Sequence, residues 1–405
     1  MSGGRPSRVL SKFVLAHLSD LHVSTFGDTF HDGLRLVRRS GKPFSVPANW
    51  IEAHSEHGWI LVHPPGKPQK LQLLDPQRYA HGVPRQSKTR PEPEALARGI
   101  AKLRLLERRS SASLAAHPPS ASELEALYAE TPRNSNLRLL RAVASLHREH
   151  IDAVLVTGDL TDHGTGYDLL LSVFEPWIRK GMFFAVPGNH DLYKFPILGS
   201  TRPKLTVDEK RAKWTEFQQQ VGIQVGPEGA WFRYLDGPDV ALVGLNSCVG
   251  PQKRFFRHDG ALGPAQIAWL RALRKNPDWR RARVRLVAFH HHLDRLAMGI
   301  GRRHAPELGL KLTDAKEVAV ALNEIGATAI LHGHRHVSER RQPARSNFEI
   351  FASSSTTLGC RSGDEPSYWR IEIGDESFDA FRRYTDEPAV PMSIPPRAYM
   401  GEDDE

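Results

Sequence analysis

Five short apolar runs, residues 13–18, 154–156, 183–186, 284–289 and 329–331, each stop at a cluster of metal-ligating or proton-carrying side chains. The clusters are Asp20-Leu21-His22, Gly158-Asp159-Leu160-Thr161-Asp162, Gly188-Asn189-His190-Asp191, His290-His291-His292 and Gly333-His334-Arg335-His336. A short apolar run closed by glycine or a polar turn reads as a buried strand, and the rim beyond such strands is where α/β enzymes keep their chemistry. The runs are solidly apolar instead of alternating, so helices or a second sheet should cover both faces. A chain built this way has to bring five strand ends together.

The clusters share one chemistry. Asp20 and His22 are two apart, which on extended backbone turns both side chains to one face. A lone D-x-H is common by chance; it gains meaning from the other four clusters. Asn189, His190 and Asp191 offer a neutral oxygen for a metal, a proton donor and a group to orient that donor. Carboxylate, imidazole and amide donors without a thiolate suit manganese, iron or zinc. Seven such donors with a histidine to spare are too many for one four- to six-coordinate ion, so two divalent or trivalent ions are expected, with a carboxylate bridging them.

The motif order DLH, GDLTD, GNHD, HHH, GHRH resembles the calcineurin-like metallophosphoesterase superfamily. His17 and Ser19 ahead of Asp20, GNHD in place of GNHE, and HHH followed by GHRH make it most similar to the class III cyclic-nucleotide phosphodiesterase branch. The resemblance covers residues 13–22 and about 135–358 and says little about 23–134. It implies an α/β fold, a four-layer α/β/β/α sandwich with a long insert after the first strand. It also implies that Asp20, His22, Asp159 and His336 bind the first ion, and that Asp159, as the bridge, binds the second with Asn189, His290 and His334. Three consecutive histidines leave the register open between His290 and His291. The strand end favours His290, which leaves His291 to the substrate and His292 at the substrate mouth or in a structural role. Arg335, between two ligands, is expected to face a phosphate oxygen or to form a structural salt bridge. Asp162 is expected to close its turn or support a ligand, His163 to lie at the surface, and His17 and His332 to donate to ligands or sit in the core.

Two dications about 3.5 to 4 Å apart acidify a shared water, align a phosphate and stabilise the attacking and leaving oxygens. The expected reaction is in-line attack of the metal-activated hydroxide on phosphorus. His190, oriented by Asp191, would protonate the leaving alkoxide or steady its charge. The expected activity is a phosphodiesterase acting on small anionic diesters or cyclic nucleotides. The alternatives are a phosphomonoesterase, a lipid-linked pyrophosphate hydrolase, or a non-catalytic scaffold on the same fold.

The rest of the chain is ordinary globular material: 405 residues, 40% hydrophobic and 25% charged, with no run near the roughly 20 apolar residues that span a bilayer. Arg5, Arg8 and Lys12 precede a short apolar segment in the manner of a signal peptide, but that segment runs into Asp20 and His22 and reads as the first strand. Two cysteines, Cys248 and Cys360, make no disulfide framework and point to a reducing, cytoplasmic setting. Of the formal net charge of +9, a surplus of +5 (16 Lys/Arg against 11 Asp/Glu) falls in residues 23–135. This basic insert reads as a lid or packing segment, or as a surface drawing anionic substrates or a membrane face toward the site. Aromatics do not interleave with its basic residues, which speaks against nucleic acid.

Within the insert, residues 59–62 and 70–74 suggest a hairpin, 94–109 a helix, and Ser120 with Glu123 a capping box opening a helix to Ala129. From Asn136 onward helices and strands alternate, with a helical run at 169–178 and a second capping box from Thr206 to Glu209. Pro264 opens a helix, Thr313 to Glu317 caps another, and 368–373 with 378–384 form a hairpin. The catalytic domain is set at 1–386, and 387–405, Pro-rich and then acidic, as a tail.

Overall fold

The computed structural model describes residues 12–27, 101, 104–105, 107–193, 205–249, 259–293, 312–358 and 365–385, with the backbone of short strands at 35–37, 51–54, 60–63, 72–74, 392–393 and 397–398. In chain order the strands are β1 (Phe13–Leu18), β2 (Arg35–Val37), β3 (Ile51–His54), β4 (Ile60–His63), β5 (Gln72–Leu74), β6 (Ala153–Thr157), β7 (Phe183–Val186), β8 (Trp231–Leu235), β9 (Val240–Gly244), β10 (Val284–Ala288), β11 (Ala329–His332), β12 (Glu339–Gln342), β13 (Glu349–Ala352), β14 (Ser367–Ile373), β15 (Phe378–Tyr384), β16 (Met392–Ser393) and β17 (Arg397–Ala398). One sheet runs β16-β15-β14-β1-β6-β7 and a second β17-β12-β13-β11-β10-β9-β8. β1, β6 and β7 are parallel, as are β9, β10, β11 and β13, so the strands that carry the polar clusters deliver them at their carboxyl ends.

The apolar runs split residue by residue between three cores. Leu15, Leu155, Phe184 and Val186 of the first sheet meet Leu242, Leu286, Leu331 and Phe351 of the second in the layer between the sheets. Their neighbours Ala16, Leu18, Val154 and Val156 face the other way, onto Leu137, Leu146, Leu169, Trp177 and Phe217 of the outer helices. On the far side Val287, Phe289 and Ile330 meet Ile267, Leu270, Trp279, Val318 and Leu322. Helix, sheet, sheet and helix thus make four layers, and a strand buried on both faces has no use for polar alternation.

Local signals set most boundaries. Ser120 with Glu123 and Thr206 with Glu209 form reciprocal capping boxes at the helices Ala121–Glu130 and Val207–Gln220, and Asn134 caps Ser135–Arg148. The run at 169–178 becomes two helices, Tyr167–Val173 and Glu175–Ile178, meeting at Phe174 just ahead of Pro176. Thr313 does not cap the helix Ala315–Glu324; its hydroxyl bonds the Gly260 carbonyl, while the Asp314 carboxylate accepts from the Leu262 and Gly263 N–H groups. β14 and β15 form the expected hairpin, and β4 and β5 pair antiparallel in a four-stranded sheet of order β2-β5-β4-β3. Met392–Ser393 and Arg397–Ala398, inside the segment read as a tail, pair with β15 and β12.

The insert leaves and rejoins the domain through one zipper. The Ser24 N–H donates to Asn136 Oδ1, Asn136 Nδ2 donates back to the Ser24 carbonyl, and the Ser135 N–H reaches Gly27 O. Leu114, Leu124 and Leu127, in the helices Ser111–Ala116 and Ala121–Glu130, belong to the outer core, so that part of the insert is packing material. The helix expected at 94–109 falls mostly outside the described residues, as does Cys360; Cys248 is a buried free thiol. No helix among the described residues is long and apolar enough to cross a membrane.

Candidate metal centre

The turns after β1, β6 and β11 carry an unusual backbone. Asp20 (φ 53°), His22 (φ 45°), Asp159 (φ 49°), His334 (φ 76°) and His336 (φ 53°) all adopt left-handed conformations without being glycine. Such a residue costs roughly 1 kcal/mol or more, and the cost persists only where surroundings dictate it. Here they do. The Asp20 N–H donates to Gly158 O (3.0 Å), the His22 N–H to Asp159 O (2.9 Å), and the His334 N–H to Asp20 Oδ2 (3.0 Å). Gly158, at φ 95°, lies where any Cβ would strike the His290 ring, and a Cβ on Gly188 would strike Asp159.

These turns gather the donors into two groups, Asp20 with His22 and His336, and Asp159 with His290 and His334. His336 Nε2 lies 3.2 Å from both His22 Nε2 and Asp20 Oδ1. In the second group His290 Nε2 is 2.9 Å from Asn189 Oδ1, 3.3 Å from Asp159 Oδ2 and 3.1 Å from His334 Nδ1. Around an ion with bonds of about 2.1 Å, neighbouring donors fall about 3.0 to 3.4 Å apart, the edge of an octahedron or tetrahedron. The donor spacing therefore fits metal ions.

The electrostatics point the same way. Burial alone would raise both carboxylates; His336 beside Asp20 and His290 beside Asp159 outweigh it and hold both below the usual carboxylate range. Burial, aided by neighbouring imidazoles, lowers His22 to about 3 and depresses His334 as well. Burial also opposes charge on His290, yet the Asp159 carboxylate wins and raises it to about 9. His22 and His334 are thus held neutral, and His290 carries a proton that the Asp159 carboxylate favours, a place where a cation would be equally favoured. His334 Nε2 is buried without a hydrogen-bond partner.

Outer contacts fix which ring nitrogen faces the donors. His290 Nδ1 sits 2.8 Å from the Thr157 carbonyl, which leaves Nε2 toward Asn189 and Asp159. His22 Nδ1 lies 3.4 Å from Asp162 Oδ1. Asp162 also meets His190 Nδ1 at 3.1 Å, through its carboxylate and through its main-chain carbonyl, and His163 Nε2 at 3.0 Å. His22, Asp162 and His190 form a third close group of donors, in which His190 Nδ1 meets both the carboxylate and the main-chain carbonyl of Asp162.

Two sequence expectations are corrected. Asp191 does not orient His190: its carboxylate accepts from the Leu160, Thr161 and Gly188 N–H groups and from the Thr161 hydroxyl, at 2.8 to 3.1 Å. The reason is helical geometry. In the single turn Asn189–Leu192, residue 191 points about 100° away from residue 190, into the protein, and Asp162 reaches His190 from the facing turn. His163, expected at the surface, is buried against Asp162.

The other candidates are placed as follows. His291 is fully buried, with Nδ1 2.8 Å from the Ser247 hydroxyl and its ring 4.5 Å from that of His334. Arg335 is half-buried on the turn between His334 and His336. His17, His292 and His332 are core residues, and burial lowers their pKa values to about 3, 2 and 4. His190 is the open member, its side chain 25% exposed against 6% for His22 and 0% for His290.

Sequence reasoning missed two supports. Ser353 to Thr357, a run that looks like a polar loop, is wholly buried, and the Ser355 and Thr357 hydroxyls donate to the carbonyls of Asp20 and Leu21. A stretch of small hydroxyl residues directly after an apolar strand was the available signal. Lys210 is also buried, with Nζ 2.6 Å from the His190 carbonyl. It stands in a polar-looking helix and gives no sign of itself in sequence.

The model of the calcineurin-like phosphoesterase family matches residues 119–338, more than half of the chain. The chain belongs to that family. The dinuclear metal centre typical of this phosphoesterase family has its candidate ligand groups here. Among solved structures, this phosphoesterase is similar to a dimetal phosphatase from Danio rerio, at 12% identity and a TM-score of 0.48 over 93% of this chain and 97% of that one. It is also similar to purple acid phosphatase PPD1 from yellow lupin, at 12% identity and a TM-score of 0.43 over 63% of this chain and 48% of the other. No curated protein matches it.

Proposed function

We propose that this phosphoesterase is a dinuclear phosphodiesterase acting on small diesters, cyclic nucleotides among them. The observation that carries the hydrolytic reading is the pairing of two buried donor groups with one open imidazole, His190, held by Asp162. The diester preference rests on the motif likeness to the cyclic-nucleotide branch.

Asp20, His22 and His336 would hold one ion, Asn189, His290 and His334 the other, with Asp159 shared; manganese, iron or zinc suits these donors. When bound, such ions lower the pKa of water and neutralise charge on the phosphate. The chain supplies the rest. His190, with Nδ1 directed at Asp162, presents Nε2 to the leaving oxygen as proton donor. Arg335 is assigned to a non-bridging phosphate oxygen; His291, expected to share that role, is fully buried with Nδ1 on the Ser247 hydroxyl and is not assigned to the substrate.

The test is a panel run with manganese on metal-stripped, refilled protein: aryl mono- and diesters, 2′,3′- and 3′,5′-cyclic nucleotides, and a lipid-linked diphosphate. Diester kcat/KM about tenfold or more above that for monoesters is the expected result. Preference for a monoester or diphosphate would replace the diester reading, and metal binding without turnover on any member would leave a binding scaffold.

A further inference from the structure

The helix Val207–Gln220 lies outside the five motifs, yet it reaches into the site through one residue. Lys210, in its first turn, is 3% exposed and donates from Nζ to the carbonyl oxygen of His190 at 2.6 Å. Burial, opposed by the nearby Asp191 and Asp159 carboxylates, lowers this lysine to about 8. The lysine stem passes Gly164, where a Cβ would come within 3.1 Å of Lys210 Cγ.

Its base is firmly held. The Thr206 and Glu209 capping box fixes the turn that carries Lys210, and the Tyr167 ring lies 6.5 Å from Trp214 and 5.0 Å from Phe217. The acceptor, in contrast, belongs to a helix of a single turn. Asn189–Leu192 ends on the Tyr193 N–H to Asn189 O bond, and the His190 carbonyl on this short helix accepts from Lys210 Nζ.

We propose that Lys210 is a positioning residue for His190. It fixes the backbone from which the ring projects, while Asp162 fixes Nδ1, so that Nε2 stays at the leaving oxygen. This rests on the proton-donor role assigned to His190 above. A proton donor matters most for a poor leaving group, so the two roles leave a common signature.

Lys210→Met keeps the stem and removes the ammonium. With metal content and fold verified, kcat for a diester with an alkyl leaving group should fall about 10- to 100-fold, part of the usual range for losing an acid. For a 4-nitrophenyl diester the fall should stay within about threefold. The double variant His190→Asn/Lys210→Met should be no slower on the alkyl ester than His190→Asn alone, because both changes remove one function. Equal loss on both esters in Lys210→Met, or full additivity in the double variant, overturns the proposal. If His190→Asn shows the leaving-group dependence and Lys210→Met does not, Lys210 alone is refuted. If His190→Asn loses equally on both esters, the proton-donor role itself falls and takes the positioning role with it. Should Lys210→Met not fold, Lys210→Gln, too short to reach the carbonyl, carries the same comparison.

Discussion

Replacing Asp191 should unfold the protein, whereas replacing Asp162 should leave it folded and slow. In the folded state Asp191 is buried and accepts hydrogen bonds from Leu160 N (3.1 Å), Thr161 N (2.9 Å), Thr161 Oγ1 (2.8 Å), Gly188 N (2.9 Å) and, more loosely, the Tyr167 hydroxyl (3.4 Å). Asp191→Ala strands the four close, buried donors. A buried donor without a partner costs about 1 to 3 kcal/mol, and entry of water brings the sum to the low end, about 4 to 6 kcal/mol. That is comparable to the whole stability of many domains, about 5 to 15 kcal/mol. Asp162, with its side chain 14% exposed, serves imidazoles that water can also serve. Asp162→Ala should therefore cost under about 1.5 kcal/mol. Its kcat on an alkyl diester should nevertheless fall about 10- to 100-fold, because His190 keeps the Asp162 main-chain carbonyl 3.1 Å from Nδ1 but loses the carboxylate that steadies its protonated ring. Urea unfolding followed by tryptophan fluorescence, beside turnover and metal content for each variant, measures both effects. An Asp191→Ala protein with a wild-type urea midpoint and no turnover would refute this division and return Asp191 to a catalytic role.

Acid should destabilise the protein steeply. His17, His292 and His332 are held by burial at about 3, 2 and 4, below the ordinary 6.5, so as pH falls under 6.5 the unfolded chain takes up protons that the folded one refuses. Each removes about 2 kcal/mol by pH 5, about 6 kcal/mol together, and a flat urea midpoint from pH 7 to 5 would contradict this. His290 works the other way: raised to about 9, its contribution to the metal-free protein is complete below 6.5 and fades as pH rises through 9. Asp159→Ala should weaken both ions in calorimetric titration while Asn189→Ala chiefly weakens one, and loss of a single ion from Asp159→Ala would remove the bridge. Replacing residues 30–100 by a short Gly/Ser linker, sparing the packed helices from 111 onward, should leave turnover of a chromogenic diester within about tenfold and reduce kcat/KM for the natural substrate much further. Equal loss on both would make that segment packing only.

The sequence by itself determined the strands and what stands at their ends. Apolar runs of three to six residues are most readily buried in a covered sheet, and Asp, His and Asn at their ends are most readily tolerated at a rim, so Asp20, Asp159, Asn189, His290 and His334 stand out in the sequence as candidate donors. The solid apolarity of β1 and β10 likewise announced two covered faces, which Leu15 and Leu286 on one side and Ala16 and Val287 on the other occupy. Only the tertiary structure decided which polar group serves which. Asp191 sits beside His190 in sequence yet points away from it, while Asp162, 28 residues earlier, reaches it, because a helical turn rotates adjacent side chains apart and two facing turns bring distant ones together. The left-handed backbone of Asp20, His22, Asp159, His334 and His336 is one that Asp and His tolerate better than most residues, but that preference is too weak to announce it; neighbouring strand ends hold those turns in place, and the buried hydroxyls of Ser355 and Thr357 hold the first of them. Lys210 was invisible for the same reason: a lysine in an amphipathic helix is ordinarily solvated, and only the packing of that helix against the His190 turn places its ammonium inside the protein.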